Sequence, residues 1–362
     1  MSLASSTLIS GPHTHAPTSV SAIMGSVILA LLPATLFGIY LFGWPALNLL
    51  VITIISVLVG EAFCLRLMHK PVQPFLMDGS ALVTGWLIAL SLPPWAPWWI
   101  AVIGGLFAIV IGKHLFGGIG QNVFNPAMLA RVMLLIAFPL EMTTWINPHP
   151  IFTAEAPNFL DSLVITFIGI ENVDAVSSAS LLGHLKTELT LGRTVSEILA
   201  ESGYSPMNSF MGLSNGSFVE TSALLLLLGG LSLIVRRVIS WHIPVSMLGT
   251  IAILATLFNF INPDRYPDAL FHILNGGAIL AAFFIATDLV TSPSTPMGRI
   301  IFGVGCGAIE YIIRTWGSFP EGVGFAVLLM NALTPLIDHY IHPRIYGRTH
   351  SGEPIEIEAD SK

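Results

Sequence analysis

The chain has 362 residues, of which 54% are hydrophobic and 10% are charged. Because a soluble domain carries roughly a quarter charged residues, this composition predicts a polytopic membrane protein in contact with lipid. The formal net charge is -7, and the scattered basic residues argue against a nucleic-acid partner. Cys64 and Cys306 lie in apolar runs and predict buried free thiols, and no spacing of His, Cys and carboxylates indicates a metal site.

Apolar segments of near-spanning length fall into two sets of five. The first set lies at about 20–43, 46–66, 79–93, 98–113 and 125–140, and the second at about 221–236, 242–262, 269–287, 299–316 and 321–339. The pattern predicts an all-α polytopic membrane protein with about ten transmembrane helices. The predicted divisions are a membrane half at 1–140, a polar loop region at 141–220, a second membrane half at 221–341 and a tail at 342–362.

The distribution of Lys and Arg predicts the orientation. With the N-terminus inside, the inner loops and tail hold Arg66, Lys70, Lys113, Arg236, Arg237, Arg299, Arg344, Arg348 and Lys362, whereas the outer loops hold only Lys186, Arg193 and Arg265. The positive-inside rule then places both termini in the cytoplasm and 141–220 outside. In a bacterium this means the inner membrane, with the polar segment in the periplasm.

A weak internal repeat relates the two halves. Gly79 to Gly85 leads to Leu92-Pro-Pro, and Asn275 to Leu280 leads to Thr291-Ser-Pro. Because each half has an odd number of spans, equivalent helices would run in opposite directions. This predicts two inverted five-helix repeats, an arrangement that brings broken helices together near the midplane.

A glycine and asparagine motif follows the fourth apolar segment. Gly118 and Gly120 leave backbone uncovered, and Asn122 and Asn125 offer amide donors and acceptors at the start of the next span. One interpretation is a re-entrant turn in which Asn125 caps a helix that begins at Pro126. The other is a cleft whose exposed amides meet a planar, hydrogen-bonding cofactor such as a flavin ring.

Within the polar segment, residues Asp174 to Ser180 resemble a flavin-attachment motif, Asp-x-x-Ser/Thr-Gly-Ala-Thr/Ser. In that motif the last hydroxyl takes up flavin mononucleotide (FMN) as a phosphoester. Here Ser180 occupies the acceptor position, and a serine keeps the hydroxyl that the reaction needs. The other motif residues that we single out are Asp174, Ser177, Ser178 and Ala179.

Two carboxylates, Glu61 and Glu310, fall inside predicted spans. Because a charge in the bilayer is costly, each is a candidate for ion coupling. Glu61 has an alternative as a hydrogen-bonded carboxyl that joins two helices. The chain has no dinucleotide-binding fingerprint, because its glycines follow a hydrophobic span rather than a strand.

Several motifs together resemble one family. They are the Leu92 run Leu-Pro-Pro-Trp-Ala-Pro-Trp-Trp, the Gly117 run Gly-Gly-x-Gly-x-Asn-x-x-Asn-Pro-Ala, the Asp174 motif and Arg237-x-x-x-Trp-His-Ile-Pro. The chain resembles, over roughly 10–347, the family of D subunits of Rnf electron-transport complexes and B subunits of sodium-translocating NADH:quinone reductases. Its short N-terminal extension favours the Rnf branch of this family.

The resemblance implies a membrane flavoprotein with covalent FMN on Ser180 and non-covalent riboflavin in the bundle. Such a protein passes electrons between its flavins. This electron flow between ferredoxin and NADH is coupled to ion movement across the membrane. The implied partners are the A, B, C, E and G subunits of the same complex and a periplasmic flavin transferase. The alternative is a urea- or ammonium-like channel or a secondary transporter, which inverted repeats would also suit.

Overall fold

The computed structural model describes residues 19–153, 156–169, 180–212 and 222–342, and within these ranges the chain forms sixteen helices and no extended strand. The first membrane half contains α1 Val20–Leu67, α2 Val72–Leu76, α3 Ser80–Ser91, α4 Trp98–Phe107 with a π-helical continuation Ala108–His114, and α5 Pro126–Ala137. The polar segment contains α6 Pro139–Thr143, α7 Phe159–Phe167, α8 Leu181–Thr190, α9 Val195–Glu201 and α10 Pro206–Met211. The second half contains α11 Ala223–Val235, α12 His242–Ile261, α13 Ala269–Leu274, α14 Ala278–Leu280 with a π-helical continuation Ala281–Ile285, α15 Pro296–Trp316 and α16 Val323–Tyr340.

Helix α1 is a hairpin of two arms. Gly43 has φ 77° and ψ -164°, a non-helical conformation that glycine adopts readily because it has no Cβ. Gly79 packs against Met24 of the first arm. Lys113 donates hydrogen bonds both to Ser80 and to Glu61 of the second arm. Both arms therefore approach the same end of α3 and run antiparallel, as the two separate apolar segments predicted.

The apolar helices confirm the all-α class for the described part of the chain. Four helices, α1, α12, α15 and α16, are long and apolar enough to cross a membrane, and α3, α4 with its continuation, α5 and α11 are shorter apolar helices. The predicted span at 269–287 is wrong as a single helix, because the chain breaks at Asn275–Gly277, where Gly276 has φ 76°. The count of ten spans and the inverted repeat stay predictions.

The polar segment differs from the loop region that the sequence predicted, because its described parts fold into short helices. Leu182 and Leu185 of α8 pack with Val195 and Ile198 of α9 against Phe271 of α13 in a small separate core. Apolar side chains at helical spacing drive this folding, since each short helix buries one face. Helices α8 and α9 thus form a helical cap on one end of the second half, whereas α7 packs on α1 of the first half.

The two membrane halves approach closely at Gly229 of α11. A Cβ built on Gly229 would collide with the carbonyl oxygen of Ala30 in the first half, and one on Gly230 would collide with the ring of Phe283 within the second half. Such close approach leaves no room for a side chain at either position. The halves therefore share one hydrophobic core.

Candidate functional site

A cleft with an empty volume of about 810 Å³ lies where the two halves meet. This volume includes space that is open to solvent. Leu87, Phe283 and Phe284 contribute apolar walls. Polar groups line the rest, among them Ser80, Thr84, Lys113, Asn122, Asn125 and Asp288.

Asn122 and Asn125 both line this cleft, as the second interpretation of their motif required. The Oδ1 of Asn125 accepts hydrogen bonds from the first backbone N–H groups of α5 at 3.0 and 3.2 Å, which confirms the predicted cap. The Nδ2 of Asn122 donates to the carbonyl of Phe124 at 3.1 Å, and its Oδ1 accepts no hydrogen bond from the described residues. Asn122 is therefore the more available of the two to a ligand, and flavin contact stays a prediction for both.

Gly118 and Gly120 shape the loop at the mouth of the cleft. Their φ angles of 108° and 82° lie in the region that favours glycine. Ile119, between them, lines the cleft, and the N–H of Gly118 donates to the carbonyl of Lys113 at 3.1 Å. The two glycines thus turn the chain so that Ile119 and Asn122 reach the cleft. Direct contact of the glycines with a cofactor stays a prediction.

Glu61 belongs to a buried ion cluster beside the cleft. The Nζ of Lys113 donates to Glu61 Oε1 and to Ser80 Oγ, both at 2.8 Å. The Nε2 of His114 lies 2.9 Å from Glu61 Oε2. Glu61 is 1% exposed, and the pair joins α1 to the end of the π-helical turn. This geometry supports the helix-joining interpretation, and ion loading by Glu61 stays a prediction.

Glu310 belongs to a second buried cluster. It is fully buried and pairs with Arg314, one helical turn later. Arg314 also lies 3.5 Å from Glu321, and Arg131 of α5 donates to Glu321 at 2.8 Å. The N–H of Gly277, at the break between α13 and α14, donates to the same carboxylate. Two carboxylates and two guanidiniums therefore tie α5, α14 and α15 together.

The two clusters lie at opposite ends of the bundle. Leu289 lines both the cleft and a neighbouring pocket that contains Arg299, in the first turn of α15. Arg314 lies fifteen residues further along the same helix, which corresponds to roughly 22 Å at 1.5 Å per residue. One cluster is thus beside the cleft, and the other lies under the helical cap.

Ser180 is the N-cap of α8, and its Oγ accepts a hydrogen bond from the N–H of Gly183 at 3.2 Å. Lys186, on the same helix, donates from Nζ to the last carbonyls of α15 and the turn after it, where the helix dipole favours a cation. The acceptors are the carbonyl oxygens of Ile313 (3.1 Å), Arg314 (3.1 Å) and Phe319 (2.8 Å). Burial lowers the pKa of Lys186, and the nearby Glu310 carboxylate partly offsets this effect. Ser180 is therefore held at the start of a helix that is docked on the second cluster.

The rest of the attachment motif, Asp174, Ser177, Ser178 and Ala179, lies outside the described residues. Only its last position, Ser180, has a described environment. The predicted roles of these four residues stay predictions.

The buried carboxylates were predicted from the sequence, but their partners were not. Lys113, counted among the inner-loop cations, is 3% exposed and pairs with Glu61. Lys186, counted among the outer-loop cations, is half-buried against α15. The spacing of Glu310 and Arg314, four residues apart on one helix, was a signal that pointed to their pair. Lys113 and Glu61 are 52 residues apart, so no local spacing in the sequence indicated that they pair.

These features define an all-helical membrane protein with a polar cleft at one end and a buried ion network beneath a helical cap at the other. Residues 7–347 match the model of the NQR2, RnfD, RnfE family, and the chain belongs to this family. The resemblance found in the sequence is thereby confirmed.

Three relatives show how much of the chain the similarity covers, and each is named as the D subunit of an ion-translocating oxidoreductase complex. The relative from Halorhodospira halophila (strain DSM 244 / SL1) is 57% identical over 98% of this chain and 99% of its own. The relative from Stutzerimonas stutzeri is 57% identical over 93% and 95%, and that from Rhodobacter capsulatus is 47% identical over 94% of each.

Proposed function

We propose that the chain is the D subunit of an ion-translocating oxidoreductase complex, as its relatives are named. In this proposal it is a flavoprotein that passes electrons between FMN attached to Ser180 and riboflavin held without a covalent bond in the cleft. Electron flow between ferredoxin and NADH is coupled to ion movement across the membrane. The flavins supply the electron chemistry, and the protein supplies their attachment, orientation and electrostatic surroundings.

The observation that carries the proposal is the position of Ser180 at the N-terminus of the docked helix α8. A phosphoester on Ser180 would place a negative charge beside backbone N–H groups and the positive end of the helix dipole. The N–H of Gly183 already points at the Ser180 Oγ. A docked helix also fixes the attachment point against the bundle, at the end opposite the cleft. These features fit an attached FMN.

The cleft fits a second, non-covalent flavin. Asn122 and Ser80 offer hydrogen-bonding groups, and the rings of Phe283 and Phe284 offer apolar surface. Lys113 also lines the cleft, and its ion pair with Glu61 lets it respond to an occupant that gains negative charge on reduction. Such a charge interacts more strongly beside buried protein groups than in water.

Ion coupling is proposed for Glu61 and Glu310. Each carboxylate is buried with a cation as partner. A change in charge nearby therefore alters the free energy of the buried ion pair. Glu61 is the stronger candidate of the two, because its partner Lys113 lines the cleft. A change in the charge of the cleft therefore acts on the pair directly.

The proposed topology is ten crossings of a bacterial inner membrane in two inverted repeats, with both termini in the cytoplasm. Two broken helices support the repeat: α3 follows Gly79 with φ 81°, and α14 follows Gly276 with φ 76°. The breaks lie at opposite ends of the bundle, since one borders Lys113 and the other borders Glu321. Reporter fusions after Arg237 should report cytoplasm, and a fusion near residue 190 should report periplasm. The opposite result would reject this orientation.

The proposed partners follow from the same assignment. They are the A, B, C, E and G subunits of the complex, a periplasmic flavin transferase that modifies Ser180, and membrane lipid. Co-purification of the tagged full-length chain from membranes should recover the other subunits.

The experiment that tests the function is a denaturing gel viewed for flavin fluorescence. The wild-type band should fluoresce, Ser180→Ala should abolish the fluorescence, and Ser180→Thr should preserve it. Ser177→Ala and Ser178→Ala are the matched controls in the same motif and should keep it. A channel or transporter would give no fluorescent band in any variant, and this result would reject the proposal.

A further inference from the structure

Beside the cleft, and at the same end of the bundle, lies a second pocket with an empty volume of about 940 Å³. Two arginines line it, Arg237 after α11 and Arg299 in the first turn of α15, together with the hydroxyl-bearing Ser240 and Ser292. No carboxylate is among its lining residues, and neither guanidinium forms an ion pair with a carboxylate in the described part of the chain. The pocket therefore concentrates positive charge without an internal counter-charge.

Both arginines stand where the backbone disfavours them. Arg237 has φ 57°, in the left-handed region, and occupies the position after the helix C-cap that glycine ordinarily takes. Its N–H donates to Ile234 and the N–H of Val238 donates to Leu233, both at 2.9 Å, which is the hydrogen-bond pattern of a glycine-terminated helix. Arg299 places a cation near the positive end of α15, where the helix dipole repels it. Helix capping and the helix dipole therefore do not explain why an arginine occupies either position.

The hydrogen bonds leave the charged ends of these side chains available. The Nε of Arg299 donates to the carbonyl of Pro293 at 3.0 Å. This contact orients the guanidinium but leaves its two terminal nitrogens without an acceptor among the described residues. A planar guanidinium with free terminal N–H groups matches the oxygens of a phosphate.

The surroundings of the pocket indicate the source of that phosphate. Trp241 lines the pocket, is 52% exposed and stacks on His242 with 4.2 Å between ring centroids. Exposed tryptophans of membrane proteins are enriched at the level of the lipid headgroups. Leu289, also in the lining, is 52% exposed, and Val245 on the next turn of α12 is 56% exposed. Apolar surface thus continues from the pocket to the outside of the bundle, where lipid chains would lie.

We infer that Arg237 and Arg299 form a binding site for the headgroup of an anionic phospholipid. The phosphate would accept hydrogen bonds from both guanidiniums, and the acyl chains would follow the exposed apolar face of α12. Basic pockets between membrane helices bind anionic headgroups in this way. The inference is independent of any flavin on the chain.

The test is native mass spectrometry of the full-length chain in a neutral detergent, titrated with phosphatidylglycerol. Wild type should retain one lipid molecule, and phosphatidylcholine should bind at least tenfold more weakly. Arg299→Gln and Arg237→Gly should each weaken retention of phosphatidylglycerol roughly fivefold, since each basic residue contributes a similar share. The double variant should lose roughly 25-fold.

Two controls keep the outcome interpretable. Arg237→Gly restores the residue that the helix end prefers, so this variant should not destabilise the end of α11. Arg236→Gln removes a neighbouring exposed arginine that does not line the pocket, and it should leave binding within about twofold. Unchanged retention in the double variant, or equal binding of both lipids, would overturn the inference. FMN or inorganic phosphate that binds more tightly than phosphatidylglycerol and depends on the same arginines would assign the site to a soluble phosphate instead.

Discussion

The two ends of the bundle use buried charge differently. At the cleft end, the partner of Glu61 is Lys113, whose side chain also lines a cavity. At the capped end, Glu310, Arg314, Glu321 and Arg131 neutralise one another beneath α8. The Glu61 cluster lies where an occupant of the cleft can interact with it. The charges of the Glu310 cluster pair with one another and hold helices together. Charge in a membrane protein thus does not by itself identify a site of chemistry, because its surroundings decide its role.

The largest effect should come from breaking the capped network. Arg314→Met would leave Glu310 buried without its neighbouring cation, which costs about 3–5 kcal/mol. We expect a large fall in unfolding temperature in detergent and poor assembly of the complex. Arg193→Met is the matched control, because Arg193 pairs with Glu188 and Glu201 at the exposed surface of the cap. Equal stability of the two variants would show that the capped network is not structural.

The docking of the cap should be the next largest effect. Lys186→Met removes three hydrogen bonds to backbone carbonyls, and the helix should open more easily by about 2–3 kcal/mol. Hydrogen exchange should therefore speed up in α8 while the membrane helices stay protected. Lys70→Met provides a control, because Lys70 donates to a backbone carbonyl of Gly117 at the other end and should not affect α8. Unchanged exchange in α8 would mean that its apolar contacts alone hold it.

The cleft should respond in binding more than in stability. Asn122→Leu removes a polar group from the lining and leaves buried polar atoms of the proposed flavin unpaired, which costs about 1–3 kcal/mol. Affinity for riboflavin, measured by quenching of its fluorescence, should fall about 10- to 100-fold. Gln121→Leu, at an exposed neighbour that does not line the cleft, should bind normally. Equal binding by both variants would return the glycine and asparagine motif to a purely structural role.

The smallest change in stability should come from Glu61→Gln. The amide oxygen still accepts a hydrogen bond from Lys113, and the ammonium of Lys113 also donates to Ser80, so the loss should be smaller than in Arg314→Met, where Glu310 loses both the charge and the hydrogen bonds of its partner. The complex should assemble, but electron flow should no longer generate a full membrane potential in sealed vesicles. Normal generation of potential would leave Glu61 as a residue that only joins helices. A loss of stability as large as that of Arg314→Met would contradict the contrast between the two ends.

The sequence predicted most of the helices because lipid imposes long apolar runs. The two arms of α1, together with α12, α15 and α16, lie close to their predicted bounds. The span at 269–287 was wrong because apolar composition continues through the break, and the conformation of Gly276 rather than hydropathy ends α13. The helices of the polar segment were missed because each is short, and their apolar faces match only when α8 and α9 meet Phe271.

The candidate site divides in a similar way. Asn122 and Asn125 were found because they offer amide donors and acceptors beside uncovered glycine backbone at the start of a span, and both line the cleft. The partners Lys113 and Lys186 were missed because positive charge was counted by position along the chain. That count cannot tell a loop lysine from one that folds back on a distant helix. Long-range pairing is a property of the packed bundle rather than of local spacing.

The central claim is that the two ends hold two different flavins, one covalent and one not. The direct test is flavin stoichiometry of the purified full-length chain before and after denaturation, with mass spectrometry of the peptide that contains Ser180. We expect one extractable riboflavin per chain and one FMN that remains as a phosphoester on Ser180. A wild-type chain whose Ser180 peptide carries no adduct, and whose flavin is released entirely on denaturation, would contradict the account.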